Sequence, residues 1–496
     1  MRAAAPDEEE GMERSRPGIT FAQLIAFVAV MLPVVAALRF PFSTIDLTYL
    51  IRAGNAMLDS GQILRTDTFT FTVVGHAWLN QQWGAEIVFA LAYQAGEWIA
   101  LVLFRAALVG VIFWFEYLAC RAAGAGRRAA GWLTLAAFVV CFDGLSLRPN
   151  LLGMALFALT LWVVAGRSRR PRLLWLLPAV VLVWANVHGS FVLALAPLGL
   201  AWLEDRREGT PSARTKLAVT VACLAATLVT PFGARSWEYV VRLTTDPRIR
   251  PFITEWQPTR PTSAIGIGFF VSAAAVAVIA IRHRARLPWP RILGLGLFFV
   301  LGIQAVRGVL WWALAAPVLI ADLLPERLPR PDVPRALNVV IAAALSLLAI
   351  AMLPWFRPAS ADATDQRVKD AMLLDAPAEL VDAVSVAATP GSRLFVAQSY
   401  ASWFELEMPG NPVFVDPRIE LFPDAIWDEY QTVSSAGPGW EAILDRWNVD
   451  ILVLNREQQG TLIDELDTDD GTSWEPVHRN GDGVVFARIS PDGVPP

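Results

Sequence analysis

The sequence predicts a mainly α, polytopic α-helical membrane protein of about 11 spans with a C-terminal extracytoplasmic α/β domain. Three observations predict it. Of 496 residues, 55% are hydrophobic and only 18% charged, and the mean hydropathy is +0.45, outside the usual balance for a soluble domain. Apolar runs long enough to cross a hydrocarbon core of about 30 Å alternate with short polar loops until residue 355 and stop there. Arginine clusters recur in alternate loops, as the positive-inside rule requires of cytoplasmic segments.

The first run, 19–38, follows a tail (1–18) that carries Arg2, Arg14 and Arg16 around an acidic stretch from Asp7 to Glu10. The run is longer than the apolar part of a signal peptide, so it reads as an uncleaved anchor with a cytoplasmic N-terminus. Basic clusters then recur at Arg121/Arg127/Arg128, Arg167/Arg169/Arg170/Arg172, Arg206/Arg207/Arg214/Lys216, Arg282/Arg284/Arg286/Arg291 and Arg327/Arg330/Arg335. With these held inside, spans fall near 19–38, 98–120, 129–145, 150–166, 173–187, 189–203, 217–231, 263–281, 292–306, 308–325 and 336–355. The apolar stretch Trp83 to Ala95 must not cross, because a crossing would put every later cluster on the wrong side; it reads as a helix at the outer membrane edge. The membrane domain is then 19–355, its first outer loop 39–97, and the outer domain 356–496.

The last region changes pattern. Short β-rich runs at Leu394 to Ala397, Val413 to Val415, Ile451 to Leu454 and Val484 to Ile489 alternate with helix-like stretches at Ala425 to Val433 and Trp440 to Trp447. Ala359 to Gln366 reads as a linker. Cys120, Cys141 and Cys223 lie in or at the ends of apolar segments and read as small buried hydrophobes, with no disulfide framework. The near-total use of arginine over lysine, with only Lys216 and Lys369, suits a GC-rich bacterial source.

Polar residues collect at the outer ends. Asp46 follows the first span, ahead of Gly54-Asn55, Gly61, Asp67 and the stretch Trp78 to Glu86, where a carboxylate can act as a base at headgroup level. A solvated carboxylate is the plainer alternative. In the turn Asp143-Gly-Leu-Ser-Leu-Arg148-Pro-Asn150, the guanidinium suits a phosphate, or pairs with Asp143 to close the turn. Trp184-Ala-Asn186-Val-His188-Gly-Ser190 forms a polar notch in an apolar hairpin. With four histidines and no spaced set of metal ligands, His188 reads as a hydrogen-bond donor or a packed histidine, so a divalent metal has no supporting motif and no firm cofactor is implied. The outer loop with Arg235, Arg242, Arg248, Arg250, Arg260 and Glu255-Trp256 breaks the positive-inside trend and suits an anionic headgroup. Arg307, at a hairpin turn near Gln304 and Trp311-Trp312, holds a phosphate or snorkels. Arg105 and Glu116 lie about 16 Å apart along one helix and cannot pair.

These features together resemble the GT-C class of membrane glycosyltransferases, which use polyprenyl-phosphate sugars and include aminoarabinose transferases, protein mannosyltransferases and oligosaccharyltransferases. The resemblance lies in the N-terminal span, the early acid Asp46, the edge helices from Trp78 to Ala95, the acidic turn at Asp143 and the outer C-terminal domain. It covers most of the chain as architecture and little of it as motif. The acid pair of relatives is here Asp46-Leu47, no Asp-x-Asp surrounds Asp143, and Ser399-Tyr-Ala-Ser-Trp403 is only faintly similar to the Trp-Trp-Asp-Tyr motif of oligosaccharyltransferases. Trp184-Ala-Asn-Val-His188-Gly and Val413-Phe-Val-Asp-Pro-Arg418 are similar to segments of uncharacterised bacterial membrane proteins.

The resemblance implies a transferase in the cell inner membrane, with a polyprenyl-phosphate-linked sugar, membrane lipids and a glycan, lipid or protein acceptor as partners, and no nucleic acid. Asp46 is then the catalytic base, and Glu86, Asp143, Arg148, His188, Glu255 and Arg307 bind substrate. A transporter or flippase of lipid-linked envelope intermediates, or a non-catalytic envelope scaffold, is the alternative.

Overall fold

The computed structural model describes residues 18–210, 213–245, 254–324, 335–356, 372–468 and 473–489. Arg2, Arg14, Arg16, Arg248, Arg250, Arg327, Arg330, Lys369 and the linker 359–366 lie outside these residues.

Every expected span is helical. In chain order the helices are α1 (Phe21–Arg39), α2 (Thr44–Ser60), α3 (Trp83–Ala122), α4 (Arg127–Val140), α5 (Pro149–Ala165), α6 (Leu177–Val187), α7 (Leu195–Glu208), α8 (Ala213–Ala226), α9 (Arg235–Thr245), α10 (Ala264–Arg282), α11 (Trp289–Gln304), α12 (Gly308–Ile320) and α13 (Arg335–Ala351). Of these, α1, α3 and α10 are long and apolar enough to cross a membrane by themselves, and five shorter apolar helical segments accompany them. The chain is a multi-pass membrane protein. Its many exposed apolar side chains, among them Trp114, Val139, Val271, Ile281 and Leu347, face where lipid would lie.

The edge stretch and the second span form one element, α3, that breaks at Gly96 and Glu97. Glu97 has φ 49°, a left-handed conformation in which an acidic residue is uncommon, and the break turns the chain between the Trp83 arm and the long apolar arm. Arg105 and Glu116 do not meet. Arg105 donates to the carbonyls of Ala37 (2.6 Å) and Phe40 (2.5 Å) and lies over the Phe42 ring, so it caps the end of α1. The three cysteines are buried and free.

The C-terminal region is built on one mixed sheet. Strands β3 (Leu394–Val396), β4 (Ile451–Asn455), β5 (Trp474–Arg479) and β6 (Gly483–Arg488) are ordered β3-β4-β6-β5, after the short pair β1 (Phe42–Ser43) and β2 (Leu373–Leu374). Its helices are α14 (Ala378–Ala387), α15 (Gln398–Glu407), α16 (Asp424–Ser434), α17 (Trp440–Arg446) and α18 (Arg456–Thr468). Alternation in β3 and β4 buries both faces: Leu394, Val396, Ile451 and Val453 join the core shared with the bundle, while Phe395, Leu452 and Leu454 pack with Phe422, Trp427 and Trp440. Val413 to Val415 is not a strand. Pro412 and Pro417 limit its ladder to single bridges, with Val413 held between Leu394 and Thr70. That segment of the loop after α2 therefore extends the sheet.

Five contacts fix this region onto β1, α2, the loop after it and α3. Phe42 and Ser43 pair in parallel with Leu373 and Leu374. Thr44 Oγ1 donates to the Asp375 carbonyl at 2.7 Å, and Ser402 Oγ donates to that of Ile45 at 2.5 Å. Trp403 stacks on Trp98 at the break in α3. Arg418, 2% exposed, donates to Asp67 at 2.6 Å and forks onto Asp416, between the rings of Phe69 and Trp78; both acids are fully buried. A buried guanidinium is tolerated only with its carboxylates, and removing one partner of such a set costs about 3–5 kcal/mol. Arg418→Ala should lower stability by about that much and expose the loop after α2 to proteolysis, whereas the exposed pair of Arg446 and Glu429 should matter little. Thermal unfolding of the detergent-solubilised protein with limited digestion checks both.

Candidate functional site

The start of α2, the turn before α5, the segment after residue 253 and the turn between α11 and α12 meet in one ionic chain. Asp46 stands in the first turn of α2, where the helix dipole favours a carboxylate. Its Oδ2 accepts from Arg148 Nε at 3.0 Å. Arg148 also pairs with Glu255 Oε1 through Nη1, and Glu255 Oε2 accepts from Arg307 Nε at 3.0 Å and from Nη2. Burial pushes Glu255 up, but Arg307 and Arg148 outweigh it and hold its carboxyl below the ordinary range. The charge of Asp46, reinforced by Glu255, raises Arg148 against the opposing effect of burial.

Local structure explains the convergence. Arg148 has extended backbone between the short helical turn Phe142–Gly144 and α5, whose first residue is Pro149. Its side chain therefore leaves the turn. The Asp143/Arg148 pair weighed from sequence does not form; Arg148 bonds to Asp46 and Glu255 instead. Asp143 is exposed and lines a small cavity with Ser146, Asn150, Glu255, Arg307 and Leu310. Arg307 N donates to the Glu255 carbonyl (3.1 Å), and its guanidinium lies 5.0 Å from the Trp256 ring. The indole beside Arg307 is thus Trp256, since Trp311 and Trp312 are buried against Phe157 and Phe269. Arg235, Arg242 and Arg260 are exposed and do not join the chain.

His188 is set by a relay. Trp184 Nε1 donates to Ser190 Oγ (3.0 Å), which lies 2.6 Å from His188 Nδ1, and Ser190 N also donates to Nδ1 (3.2 Å). A nitrogen that accepts a backbone N–H carries no proton, so the proton sits on Nε2 as a free donor. Burial and then Arg307 push the imidazole down to about 3, with Glu255 opposing, so it is neutral. Gly153 makes room for this relay: a Cβ there would lie 2.7 Å from Ser190 Oγ.

Glu86 lies in a second, buried cluster beside the first. Asn80 Nδ2 donates to its Oε2 at 2.6 Å, and α2 packs so close that a Cβ on Gly54 would lie 2.1 Å from the Glu86 carbonyl. Sequence reasoning missed the other members. Tyr49, one turn after Asp46 on α2, feels the charges of Asp46, Glu420 and Glu86. Tyr239 on α9 donates to Glu420 Oε1 at 2.8 Å. Burial raises both phenols and Glu420, so all three are hydrogen-bonding groups with their protons retained more firmly than in water. Glu420 follows the Asp416-Pro-Arg418 segment, but no sequence signal joins it to Tyr239. Among the described residues no group of three His, Cys, Asp or Glu side chains is placed to hold a metal ion.

No family model and no curated protein matches the sequence. Among solved structures, ArnT from Cupriavidus metallidurans in the apo state matches with a TM-score of 0.51 and 16% identity, over 94% of this chain and 97% of that one. The chain has the fold of that ArnT. The structure of the same ArnT bound to undecaprenyl phosphate is also similar, at TM-score 0.47 and 15% identity over 96% of this chain and 98% of that one. In this fold, Asp46, Arg148, Glu255 and Arg307 are joined directly, Asp143 and His188 flank them, and Glu86 sits in the buried cluster.

Burial raises Glu86 to about 8, with Asn80 and then Arg418 opposing. The folded protein therefore keeps a proton that the unfolded chain releases near 4.5, and this contribution to stability is full below about 4.5 and lost as pH rises through about 8. Thermal unfolding of wild type should fall across that window, and Glu86→Gln should flatten the profile. Parallel profiles would show that Glu86 ionises as an ordinary carboxyl.

Proposed function

We propose that this protein is an inverting membrane glycosyltransferase that moves a sugar from a polyprenyl-phosphate donor to an acceptor at the outer face of the cytoplasmic membrane, with Asp46 as general base. The observation that carries this reading is the ionic chain from Asp46 to Arg307. It joins one acid with a free oxygen to two guanidiniums bridged by a carboxylate, at the edge of a cavity between apolar helices. The GT-C fold supports the reaction class.

The chemistry follows from the residues. Asp46 Oδ1 has no partner among the described residues, so it can take the proton of an acceptor hydroxyl as that oxygen attacks the anomeric carbon. The C–O bond to phosphate breaks and the lipid phosphate leaves with its electron pair. Because that group is stable as an anion, no second carboxylic acid is required. Arg148 and Arg307 stabilise the developing charge, and the Nε2–H of His188 adds a neutral donor. The bridging Glu255 marks an anion seat: its two oxygens span both guanidiniums as two oxygens of a phosphate can. Asp143 lies at the cavity wall where it can orient the acceptor or the cations, and Glu86 with Tyr49 and Tyr239 supplies protonated donors behind Asp46.

Convergence of these groups also favours an enzyme over a scaffold. With polyprenyl-phosphate sugar as donor, Asp46→Asn should lower transfer by about 10²–10⁴-fold, and Arg307→Ala by about 10²–10³-fold. Expression and membrane insertion should be unchanged. Wild-type rates in the Asp46→Asn protein would sink the assignment of the base.

A further inference from the structure

The helices that meet at the Asp46 site enter a second ionic network at their other ends. Arg148 and Arg167 flank α5, Arg291 stands in the first turn of α11 and Arg307 just after that helix, and Arg307 and Asp322 flank α12, so the two networks are roughly 20–30 Å apart. Arg167 donates to Glu204 at 2.5 Å and to Asp205 at 3.3 Å. Arg291 donates to Glu204 at 2.9 Å and to Asp322 at 2.8 Å, and Lys216 pairs with Asp205.

This network frames a cavity several times larger than the one at the Asp46 end. Its two parts differ in chemistry. Leu161, Val164, Leu200, Phe298 and Val318 line an apolar interior that opens between α5, α7, α11 and α12. At the rim stand Arg169 and Glu208, both exposed and neither in an ion pair with any described residue. The charges of the network balance, Arg167, Arg291 and Lys216 against Glu204, Asp205 and Asp322, the last of which stands behind Arg291 without lining the cavity, so the network itself has no surplus of one sign with which to attract a purely anionic ligand. The unmatched pair at the rim is one cation and one anion.

We propose that this cavity is a lipid site for a phospholipid with an amine-bearing, zwitterionic headgroup. Its phosphate meets Arg169, which offers a planar fork suited to phosphate oxygens. Its ammonium meets Glu208, and an acyl chain lies along Leu161, Leu200 and Phe298. Basic pockets between membrane helices are a general means of holding lipid headgroups, and the added carboxylate selects among them by charge. The site is separate from the Asp46 chain and does not depend on the reaction assigned there.

Native mass spectrometry of the delipidated full-length protein tests this, with phosphatidylethanolamine, phosphatidylglycerol, glycerophosphoethanolamine and inorganic phosphate offered in turn. One phosphatidylethanolamine should be retained in preference to phosphatidylglycerol, and neither the tail-free headgroup nor phosphate should compete. Losing either charge-assisted contact should weaken retention about tenfold, read with Arg169→Ala and Glu208→Ala, which are exposed and leave the folding core untouched. Leu200→Trp, which fills the apolar interior, should do the same. Equal or better retention of phosphatidylglycerol, full competition by the tail-free headgroup or phosphate, no retained lipid, or unchanged retention in the rim variants would overturn the proposal.

Discussion

A guanidinium at the end of an apolar helix must find a carboxylate or water, and in this protein that requirement joins the helix ends at the candidate site. Glu255 accepts from Arg148 and Arg307, which cap separate hairpin turns, and Arg148 reaches on to Asp46. Each acid is thereby fixed by a cation on a different element. Take away Glu255 and the two guanidiniums repel across the cavity with nothing between them. The chain that organises the helix ends is also the one that holds the proposed base and anion seat, so packing and the proposed chemistry coincide there.

A second buried guanidinium performs the corresponding task for the C-terminal region. Arg418 ties Asp416 to Asp67, and the same stretch of chain carries Glu420 to Tyr239. Ser402 bonds to the Ile45 carbonyl, one residue before Asp46. The C-terminal sheet is therefore part of the structure that holds α2 in place, not an appendage. Nearby Glu405 is fully buried beside Asp416, and burial drives its carboxyl well above the ordinary range, so it stays neutral and leaves Arg418 to balance Asp416 and Asp67.

Much of this was legible in the sequence. Hydrophobic run length and the spacing of arginine clusters are local properties, and each predicted span is a helix. The stretch Trp83 to Ala95 is helical, and a break at Gly96 and Glu97 separates it from the span that follows. Candidates at the helix ends were found because polar groups stand out against apolar neighbours. Their pairing was not legible: Asp46, Arg148, Glu255 and Arg307 are separated by long stretches of chain, and proximity in the turn suggested Asp143 for Arg148 instead. Strand β5 was missed because Trp474-Glu-Pro-Val-His-Arg479 is polar and contains proline, which an edge strand tolerates. Ser399 to Trp403, read against a distant acceptor motif, proves to be a buried docking turn of α15.

The central claim is that the Asp46 chain serves a lipid-phosphate leaving group. The most direct measurement incubates purified wild-type protein with a panel of polyprenyl-phosphate sugars and follows free polyprenyl phosphate. The account predicts that at least one donor releases its lipid phosphate, with sugar appearing on an acceptor in the inverted anomeric configuration. Absence of release across the panel in protein that remains folded, or transfer with retention of configuration, would contradict it.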